Sequence, residues 1–509
     1  MAVVPLRTAF AQPAPSGEKP PAAAEEKPAP IPPETSSTSE HELTLGGKTL
    51  RYTATAGTLL INGDDEKPYG SIFYVAYTLD GVSDPLTRPI TFSYNGGPGS
   101  ASLWLHMGSV GPVRVVTASP SATGAAPYKV VPNEYSLLDR SDLVFIDAPC
   151  TGYSRAVGTA TVKTFAGVDQ DATAFGRFIE RYISVNHRWN SPKFLLGESY
   201  GTTRSAVLAD LLEGKGVSLN GVILLSSILN YFVDAPGSDE VFVGNLPSYA
   251  AIAWRFEKVP HEGRNEMAFL DEVRAFARGP YAEALAQGHN LPAAQVDAIA
   301  AKVAAYTGLS VEYLKEANLR VSPARFRKEL LRDQRLILGR YDARFEGTDE
   351  DAAGETPGYD PSSTGITGAF VSSLHDYLER ELKYTSKETY YPRGPHVNEQ
   401  WDHSHRPAGV PSTRPQALRG PYVAGDLADA MRQNPRLKVL SMNGLFDLAT
   451  PFFITEYDLS HMQLEPKLRG NVEFTYYHSG HMVYLNVDEL KRMKSDLDAF
   501  YSRAIDAAR

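Results

Sequence analysis

An α/β fold with a mostly parallel central sheet is predicted by three features of the sequence. Short, continuous apolar segments recur along the chain, helical stretches separate them, and turn-rich β segments precede them near the N-terminus. Continuous apolar strands are typical of a parallel sheet that helices cover on both faces. The composition is that of a globular protein, because hydrophobic residues make up 42% of the 509 residues and charged residues only 22%.

The N-terminal segment differs from the rest of the chain. Residues 1–40 contain nine of the 36 prolines, and no aromatic residue occurs between Gln12 and Glu40. We predict a disordered tether over residues 1–40, because such a segment has too little apolar surface to offset the entropy lost on folding. The residues Ala9-Phe10-Ala11 resemble the end of a secretory signal. They predict a bacterial protein that is periplasmic or secreted and whose signal is incomplete in this sequence, with a chance match as the alternative.

The strands are predicted in order along the chain. Residues 41–95 contain short β-rich runs separated by turn residues such as Asn62-Gly63-Asp64, so we predict β-hairpins there. Helices are predicted over residues 172–184 and 205–213. Apolar strands are predicted over residues 89–94, 143–147, 194–197, 222–225, 437–442 and 472–476.

A stretch of about 200 residues separates the fourth of these apolar strands from the fifth. Its helical segments are predicted at residues 267–278, 293–306 and 324–338. A loop is predicted over residues 346–368, which are rich in Gly, Asp, Thr and Pro. Such an insertion indicates a largely helical cap over the carboxyl edge of the sheet. The predicted domains are a first part of the α/β domain (41–225), a cap insertion (226–430) and a second part of the α/β domain (431–509).

Composition also argues against several classes of function. A formal net charge of −10 disfavours a nucleic-acid binder, whose surface would be basic. No uncharged apolar run approaches the roughly 18 residues of a membrane-spanning helix. The single cysteine, Cys150, excludes an intrachain disulfide and a multi-cysteine zinc site. His403 and His405 have only Asp402 as a nearby acid, so we expect no metal, and no cofactor is required.

The residues Gly197-Glu198-Ser199-Tyr200-Gly201 fit the pattern G-x-S-x-G of a nucleophile elbow. They follow an apolar strand and precede a helix, which is the setting that such a turn needs. Glycine at both ends lets the backbone turn sharply, so that the hydroxyl of Ser199 stands above the sheet. A tight strand-to-helix turn without chemistry is the alternative, because short glycine–serine patterns are common.

A nucleophilic serine needs a base, and the base needs an acid that orients it. Downstream of Ser199, Asp447 follows the fifth apolar strand and His481 follows the sixth. Both residues lie just past strand ends, at the edge where sites form in open α/β sheets. We therefore predict a catalytic triad of Ser199, His481 and Asp447. His478 competes with His481 for the role of base, but it lies nearer to the strand end and is expected to be structural.

An oxyanion hole is predicted at the glycine-rich turn Asn95-Gly96-Gly97-Pro98-Gly99, which follows an earlier strand. Glycine lets backbone amides approach a substrate closely. The expected donors are the N–H of Gly97 and the N–H of Tyr200, the residue after the nucleophile.

Taken together, these motifs resemble those of the serine carboxypeptidase family. The resemblance rests on the glycine-rich turn 95–99, on the elbow 197–201 and on Gly480-His481-Met482, with support from Asp147-Ala148-Pro149 and Gly111-Pro112. It implies an α/β-hydrolase fold. It further implies a hydrolase that releases C-terminal residues from peptides through an acyl-enzyme on Ser199, without a cofactor.

The resemblance also implies a site for the terminal carboxylate of the substrate, formed by the side chains of Asn95 and Glu198 and the N–H of Gly96. A protonated Glu198 can donate a hydrogen bond to a carboxylate, whereas an ionised one would repel it. The family commonly has a second glutamate at the position of Ser109. Without that like-charge neighbour, Glu198 is expected to lack one cause of a raised pKa, and carboxylate recognition is expected to be weaker.

Three functions stay open at this stage. The first is the carboxypeptidase. The second is an esterase or acyltransferase with the same triad, which Ser109 favours because an ester needs no carboxylate clamp. The third is a non-catalytic binding protein on the same scaffold, against which the apparently complete triad argues. A homodimer is also an open expectation, since relatives of the family include dimers.

Overall fold

The computed structural model describes residues 28–407 and 418–508. Most of the predicted tether, including residues 9–11, lies outside these ranges. The prediction of disorder over residues 1–40 is wrong at its C-terminal end, because a strand begins at Ser36 and pairs antiparallel with the following strand from Ser36↔Gly57 onward. Backbone hydrogen bonds to that neighbour order a segment that has few apolar side chains of its own.

Strands and helices alternate through most of the described chain. The strands are β1 (Ser36–Leu45), β2 (Lys48–Asn62), β3 (Pro68–Leu79), β4 (Ile90–Tyr94), β5 (Val113–Val115), β6 (Val130–Pro132), β7 (Asp142–Ile146), β8 (Arg155–Ala156), β9 (Lys193–Ser199), β10 (Gly221–Ser227), β11 (Leu336–Leu338), β12 (Glu346–Thr348), β13 (Ser404–His405), β14 (Leu418–Arg419), β15 (Lys438–Gly444) and β16 (Val472–Tyr477). The helices are α1 (Leu103–Gly108), α2 (Val162–Phe165), α3 (Val168–Val185), α4 (Tyr200–Gly214), α5 (Glu240–Arg255), α6 (Glu266–Phe276), α7 (Ala282–Ala286), α8 (Ala293–Thr307), α9 (Val311–Glu316), α10 (Pro323–Glu329), α11 (Pro361–Arg380), α12 (Ala424–Gln433), α13 (Phe452–Ser460), α14 (Pro466–Arg469) and α15 (Val487–Ala508). Within residues 28–407 and 418–508, no helix is long and apolar enough to cross a membrane.

A single large sheet forms the centre of the molecule. Its strand order is β1-β2-β3-β7-β4-β9-β10-β15-β16, with β8 paired to β3. The first three strands form antiparallel hairpins, and the strands from β7 to β16 pair in parallel. The predicted α/β-hydrolase fold, with N-terminal hairpins and a mostly parallel sheet, is confirmed.

Apolar residues on both faces of the sheet explain its continuous hydrophobic strands. In β9, Phe194 and Leu196 pack into the cluster on one face, while Leu195 packs into the cluster on the other. Successive side chains of a strand point to opposite faces, so a strand that is covered on both sides must be apolar throughout. Phe194 stacks on Tyr501 of α15, with ring centroids 4.2 Å apart. Helices α3 and α4 cover the opposite face.

The insertion between β10 and β15 has its own hydrophobic cluster. Its buried side chains come from helices such as α5, α6, α8 and α10 and from the segments that connect them. Leu445 and Phe446, which directly follow β15, also pack into this cluster. The inserted segment is therefore anchored on the sheet edge at which the site residues lie.

Two predictions within the insertion are wrong. The helix predicted over 324–338 ends at Glu329, and Leu336–Leu338 form a strand that pairs with Glu346–Thr348. A short 3-10 turn, Arg332–Gln334, follows the helix, and it ends at Arg335, whose φ of 56° is left-handed. The loop predicted over 346–368 contains that partner strand, and α11 already begins at Pro361, where the side chain of Asp360 accepts a hydrogen bond from the N–H of Ser362. The many Gly, Ser and Thr residues of α11 hide its helical character in the sequence.

Candidate active site

Ser199 stands at a sharp turn between β9 and α4. Its φ of 61° lies in the left-handed region that residues with a side chain rarely adopt. A Cβ atom at Gly197 would lie 2.2 Å from the carbonyl oxygen of Gly201, and a Cβ at Gly201 would lie 2.9 Å from that of Tyr94. Glycine is therefore required at both ends of the turn, as expected for a nucleophile elbow.

Asp447 and His481 meet at the ends of β15 and β16. His481 Nδ1 lies 2.7 Å from Asp447 Oδ2, and both side chains are buried. Asp447 Oδ1 accepts the N–H groups of Ala449 and Thr450 at 2.7 and 3.0 Å, and Oδ2 accepts the Thr450 hydroxyl at 2.7 Å. These donors hold the carboxylate in the orientation that engages the imidazole, which is how a triad acid fixes its histidine.

The backbone of His481 is also fixed at both of its polar groups. Its N–H donates to the carbonyl of Tyr341 at 2.6 Å, and its carbonyl accepts the hydroxyl of Ser226 at 2.7 Å. Burial opposes protonation of the ring, but the neighbouring Asp447 outweighs it and raises the pKa of His481. Since Asp447 engages Nδ1, Nε2 is the ring atom left for the nucleophile. Ser199 and His481 line the same cavity.

His478, the competing histidine, has different partners. Its Nε2 lies 2.9 Å from Glu266 of α6, and its Nδ1 lies 3.6 Å from Glu489 of α15. Hydrogen bonds to these two acids raise the pKa of His478 to about 9. The structure thus brings His481, and not His478, to Asp447.

The glycine-rich turn that follows β4 packs directly on the elbow. A Cβ atom at Gly96 would lie only 2.3 Å from the backbone nitrogen of Tyr200. Gly97 has a φ of 111°, which favours glycine. The two predicted oxyanion donors, the N–H groups of Gly97 and Tyr200, therefore belong to segments in contact.

A buried arginine that sequence reasoning missed supports this turn. Arg204 of α4 has no exposed side-chain surface and forms an ion pair with Asp171 at 2.6 Å. Nη1 of Arg204 donates to the carbonyl of Asn95 at 2.8 Å, and the guanidinium carbon lies 4.1 Å from the ring centroid of Phe175. Arg204 directly precedes the helix predicted over 205–213, and no motif marks it.

Asn95 and Glu198 are adjacent and buried, as the predicted carboxylate site requires. Asn95 Nδ2 donates to Glu198 Oε1 at 2.8 Å, and Asn95 Oδ1 accepts the N–H of Leu105 at 2.9 Å. Burial raises the pKa of Glu198 to about 7, although the charge of the nearby His481 opposes this shift. Desolvation is the main cause of this shift, so the pKa of Glu198 is raised although the second glutamate is absent.

A tyrosine, and not a second acid from position 109, lies beside Glu198. Ser109 is buried, and its hydroxyl donates to the carbonyl of Leu105 at 2.6 Å. The hydroxyl of Tyr484 lies beside Glu198 and Asn95 instead. A Cβ atom at Gly108 would lie 2.6 Å from the ring of Tyr484, so glycine at that position makes room for the ring. Glu198 Oε2 and the Tyr484 hydroxyl are buried, and neither forms a hydrogen bond with any other described group.

His405, one of the two histidines at positions 403 and 405, is held by two acids. His405 lies between the carboxylates of Asp169 and Asp426, at 2.5 and 3.0 Å from its two ring nitrogens. Burial opposes protonation, but these acids raise the pKa of His405 to about 9. In the part of the chain that the structure describes, no group of three or more His, Cys, Asp or Glu residues could hold a metal ion.

The insertion completes the cavity around Ser199. The ring of Tyr341 lies 5.3 Å from that of His481, measured between centroids. Further lining residues from the insertion are Ser363, Ile366, Arg393 and Asn398. No motif marks these positions, so sequence reasoning missed them.

Fold and site together define an α/β-hydrolase with a Ser–His–Asp arrangement at the carboxyl edge of its sheet. Comparison with known proteins narrows this class. Residues 49–239 match the family model described as serine carboxypeptidase. The predicted resemblance to the serine carboxypeptidase family is thereby confirmed over these residues.

Individual relatives are similar over limited stretches. The pheromone-processing carboxypeptidase KEX1 of Cryptococcus gattii is 31% identical over 125 residues, which are 24% of this chain and 18% of that protein. Serine carboxypeptidase-like 33 of Arabidopsis thaliana is 29% identical over 157 residues, 30% of each chain. The alignments thus span less than a third of these curated relatives. The crystal structure of the prohormone-processing carboxypeptidase Kex1 from Saccharomyces cerevisiae matches with a TM-score of 0.54 at 15% identity, over 88% of this chain and 91% of that one, and so supports the fold.

Proposed function

We propose that this protein is a serine carboxypeptidase that releases C-terminal residues from peptides through an acyl-enzyme on Ser199. The observation that carries the proposal is the buried Asp447–His481 pair at 2.7 Å, which lies in one cavity with Ser199 and with the Asn95–Glu198 pair. A nucleophile with its base and a recognition group for a carboxylate are thus present within the same site.

The catalytic half of the cavity suits acyl transfer. The Ser199 hydroxyl attacks the carbonyl carbon of the last peptide bond, and its proton passes to His481 Nε2. The N–H groups of Gly97 and Tyr200 stabilise the developing oxyanion. His481 then gives the proton to the leaving amine, the peptide bond breaks, and water hydrolyses the acyl-enzyme by the same base. Asp447 stays ionised and stabilises the imidazolium.

The other half of the cavity suits the departing residue. Asn95 and the N–H of Gly96 donate hydrogen bonds to its carboxylate, and Glu198 donates a third when it is protonated. A pKa of about 7 keeps Glu198 mostly protonated in mildly acidic solution. Binding of the free carboxylate is therefore favoured below neutral pH and weakened above it.

An esterase or acyltransferase with the same triad is the second candidate. Its support is Ser109, whose hydroxyl is engaged by the carbonyl of Leu105 and supplies no second acid to the site. An ester substrate would need the triad and the oxyanion donors, but not the protonated Glu198.

Two matched substrates separate these candidates. We would measure kcat/KM for a blocked dipeptide with a free C-terminal carboxylate and for its C-terminal amide, between about pH 4 and about pH 9. A preference for the free acid of about tenfold or more, equivalent to about 1.4 kcal/mol, supports the carboxypeptidase. Equal rates, or turnover of simple esters alone, would favour the esterase or acyltransferase.

A further inference from the structure

Arg393 is held beside the glycine-rich turn by backbone contacts. The N–H of Ala101 donates to the carbonyl of Pro392 at 3.1 Å, and the N–H of Gly394 donates to the carbonyl of Gly99 at 2.9 Å. Between these two bonds, Ser100 and Arg393 form an antiparallel bridge. The insertion thus fixes the backbone of Arg393 against the turn that carries Asn95 and Gly96.

The positively charged side chain of Arg393 has no anionic partner among the described residues. It is exposed and lines the same cavity as Ser199. Among the described residues, no ion pair or side-chain hydrogen bond engages its guanidinium. The nearby Arg155, by contrast, pairs with Glu388 at 3.4 Å and lies over the ring of Tyr391 at 4.6 Å. Glu198 is the one carboxylate that lines the cavity among the residues that the structure describes, and it is buried and engaged by Asn95.

We propose that Arg393 is a specificity-determining residue that binds a carboxylate of the departing residue. A guanidinium offers paired N–H donors that match the two oxygens of a carboxylate. The inference rests on the proposed function, under which the departing residue lies at the turn that Arg393 adjoins. The carboxylate is either the terminal one or that of an Asp or Glu side chain, and both sources present the same chemistry.

Four substrates distinguish the two sources. They are blocked dipeptides whose last residue is Glu or its neutral analogue Gln, each with a free terminal carboxylate or a terminal amide. We would measure kcat/KM for the unaltered protein, Arg393→Gln and Arg393→Lys. Arg51→Gln is the matched control, because this exposed arginine of β2 forms an ion pair with Glu42 and is not among the described residues that line the cavity.

The terminal carboxylate and the side-chain carboxylate each predict a different change in the kcat/KM ratios. If Arg393 binds the terminal carboxylate, Arg393→Gln lowers the acid-to-amide ratio about tenfold for both residues, as expected for loss of a charged hydrogen bond. If it binds the side chain, the Glu-to-Gln ratio falls about tenfold instead. In Arg393→Lys the same ratio should fall by less, since the positive charge remains but the paired N–H donors are lost. Added salt should lower the same ratio in the unaltered protein, because it screens the exposed ion pair between Arg393 and the substrate carboxylate.

Other outcomes overturn the inference. Unchanged ratios in Arg393→Gln, or an equal loss of kcat/KM for all four substrates, would mean that Arg393 only supports the cavity wall. Failure of the proposed function looks different, because the unaltered protein would then have an acid-to-amide ratio near one. In that case the Glu-to-Gln ratio, measured on the terminal amides, still tests Arg393.

Discussion

The two ends of the cavity differ in how fully their polar groups are engaged. At the catalytic end, both oxygens of Asp447 accept hydrogen bonds, one of them from His481. At the recognition end, Glu198 Oε2 and the Tyr484 hydroxyl are buried without a hydrogen bond to any other described group. The catalytic geometry is therefore set by the protein alone, whereas the recognition end contains groups whose protonation and pairing can still change.

This difference follows from the elements that build each end. The proposed catalytic residues lie at or just after the ends of parallel strands, whose register the whole sheet fixes. The recognition end combines a buried acid, a tyrosine after β16 and side chains from the insertion. Substitutions at the catalytic end should therefore cost rate on every substrate, while those at the recognition end should change selectivity and pH dependence.

The largest expected effect is that of Ser199→Ala. Removal of the nucleophile should lower kcat on the order of 10⁶-fold, since a triad without its serine retains only oxyanion and binding contributions. Labelling by a fluorophosphonate probe should disappear, while circular dichroism stays unchanged. Ser363→Ala, which alters another serine of the cavity wall, should remain labelled. Continued labelling of Ser199→Ala would contradict the assignment of the nucleophile.

Asp447→Asn should rank next, with a fall in kcat on the order of 10⁴-fold on acid and amide substrates alike, because the amide favours the wrong tautomer of His481. Thr450→Val is its matched partner. It removes one hydroxyl donor at 2.7 Å from Asp447 and should cost only about tenfold. Equal losses in the two variants would mean that the orientation of Asp447, and not its charge, governs the rate.

The difference between the catalytic end and the recognition end of the cavity also explains which residues the sequence could predict. Strands β9, β15 and β16 contain recognisable apolar runs. Ser199 is the last residue of β9, and Asp447 and His481 follow the ends of β15 and β16 by three and four residues, so all three could be located by order and spacing alone. Tyr484 and Arg393 could not. Tyr484 reaches Glu198 only because Gly108 leaves room for its ring, and Arg393 reaches the cavity only through pairing of its backbone with the turn.

The insertion was harder to predict for a related reason. The helix expected over 324–338 and the loop expected over 346–368 each contain one strand of the hairpin β11–β12. Each strand has three residues, too few for a recognisable alternation of apolar and polar side chains. Pairing between the two strands, which composition does not reveal, decides their conformation.

At the recognition end, Glu198→Gln should change the pH profile. In the unaltered protein, kcat/KM for the free acid should fall as pH rises through about 7, because an ionised Glu198 repels the substrate carboxylate. The amide of Gln donates at every pH, so that this fall should vanish in the variant. The C-terminal amide substrate should show no such fall in either protein. A fall that persists in Glu198→Gln would assign the pH dependence to another group.

The same substitution should also stabilise the fold at high pH. The pKa of Glu198 is about 7 in the folded chain against a usual value of 4.5, so the folded state binds more protons between these values. The free energy of unfolding therefore decreases as pH rises from about 4.5 through about 7. Glu198→Gln removes this loss and should gain about 1 to 3 kcal/mol above neutral pH, but little near pH 4. Urea unfolding at the two pH values measures the difference.

The smallest effect is expected from Tyr484→Phe, which tests whether the tyrosine hydroxyl engages Glu198. A hydroxyl beside the carboxyl stabilises its charged form, so its removal should raise the pKa of Glu198 further. The fall in free-acid kcat/KM should then move to higher pH, by about one pH unit or less, with the maximum rate nearly unchanged. Amide turnover should stay constant, since it depends on the catalytic end alone. A profile identical to that of the unaltered protein would mean that Tyr484 only fills the space above Gly108, and a loss of amide turnover would mean that the two ends of the cavity are coupled.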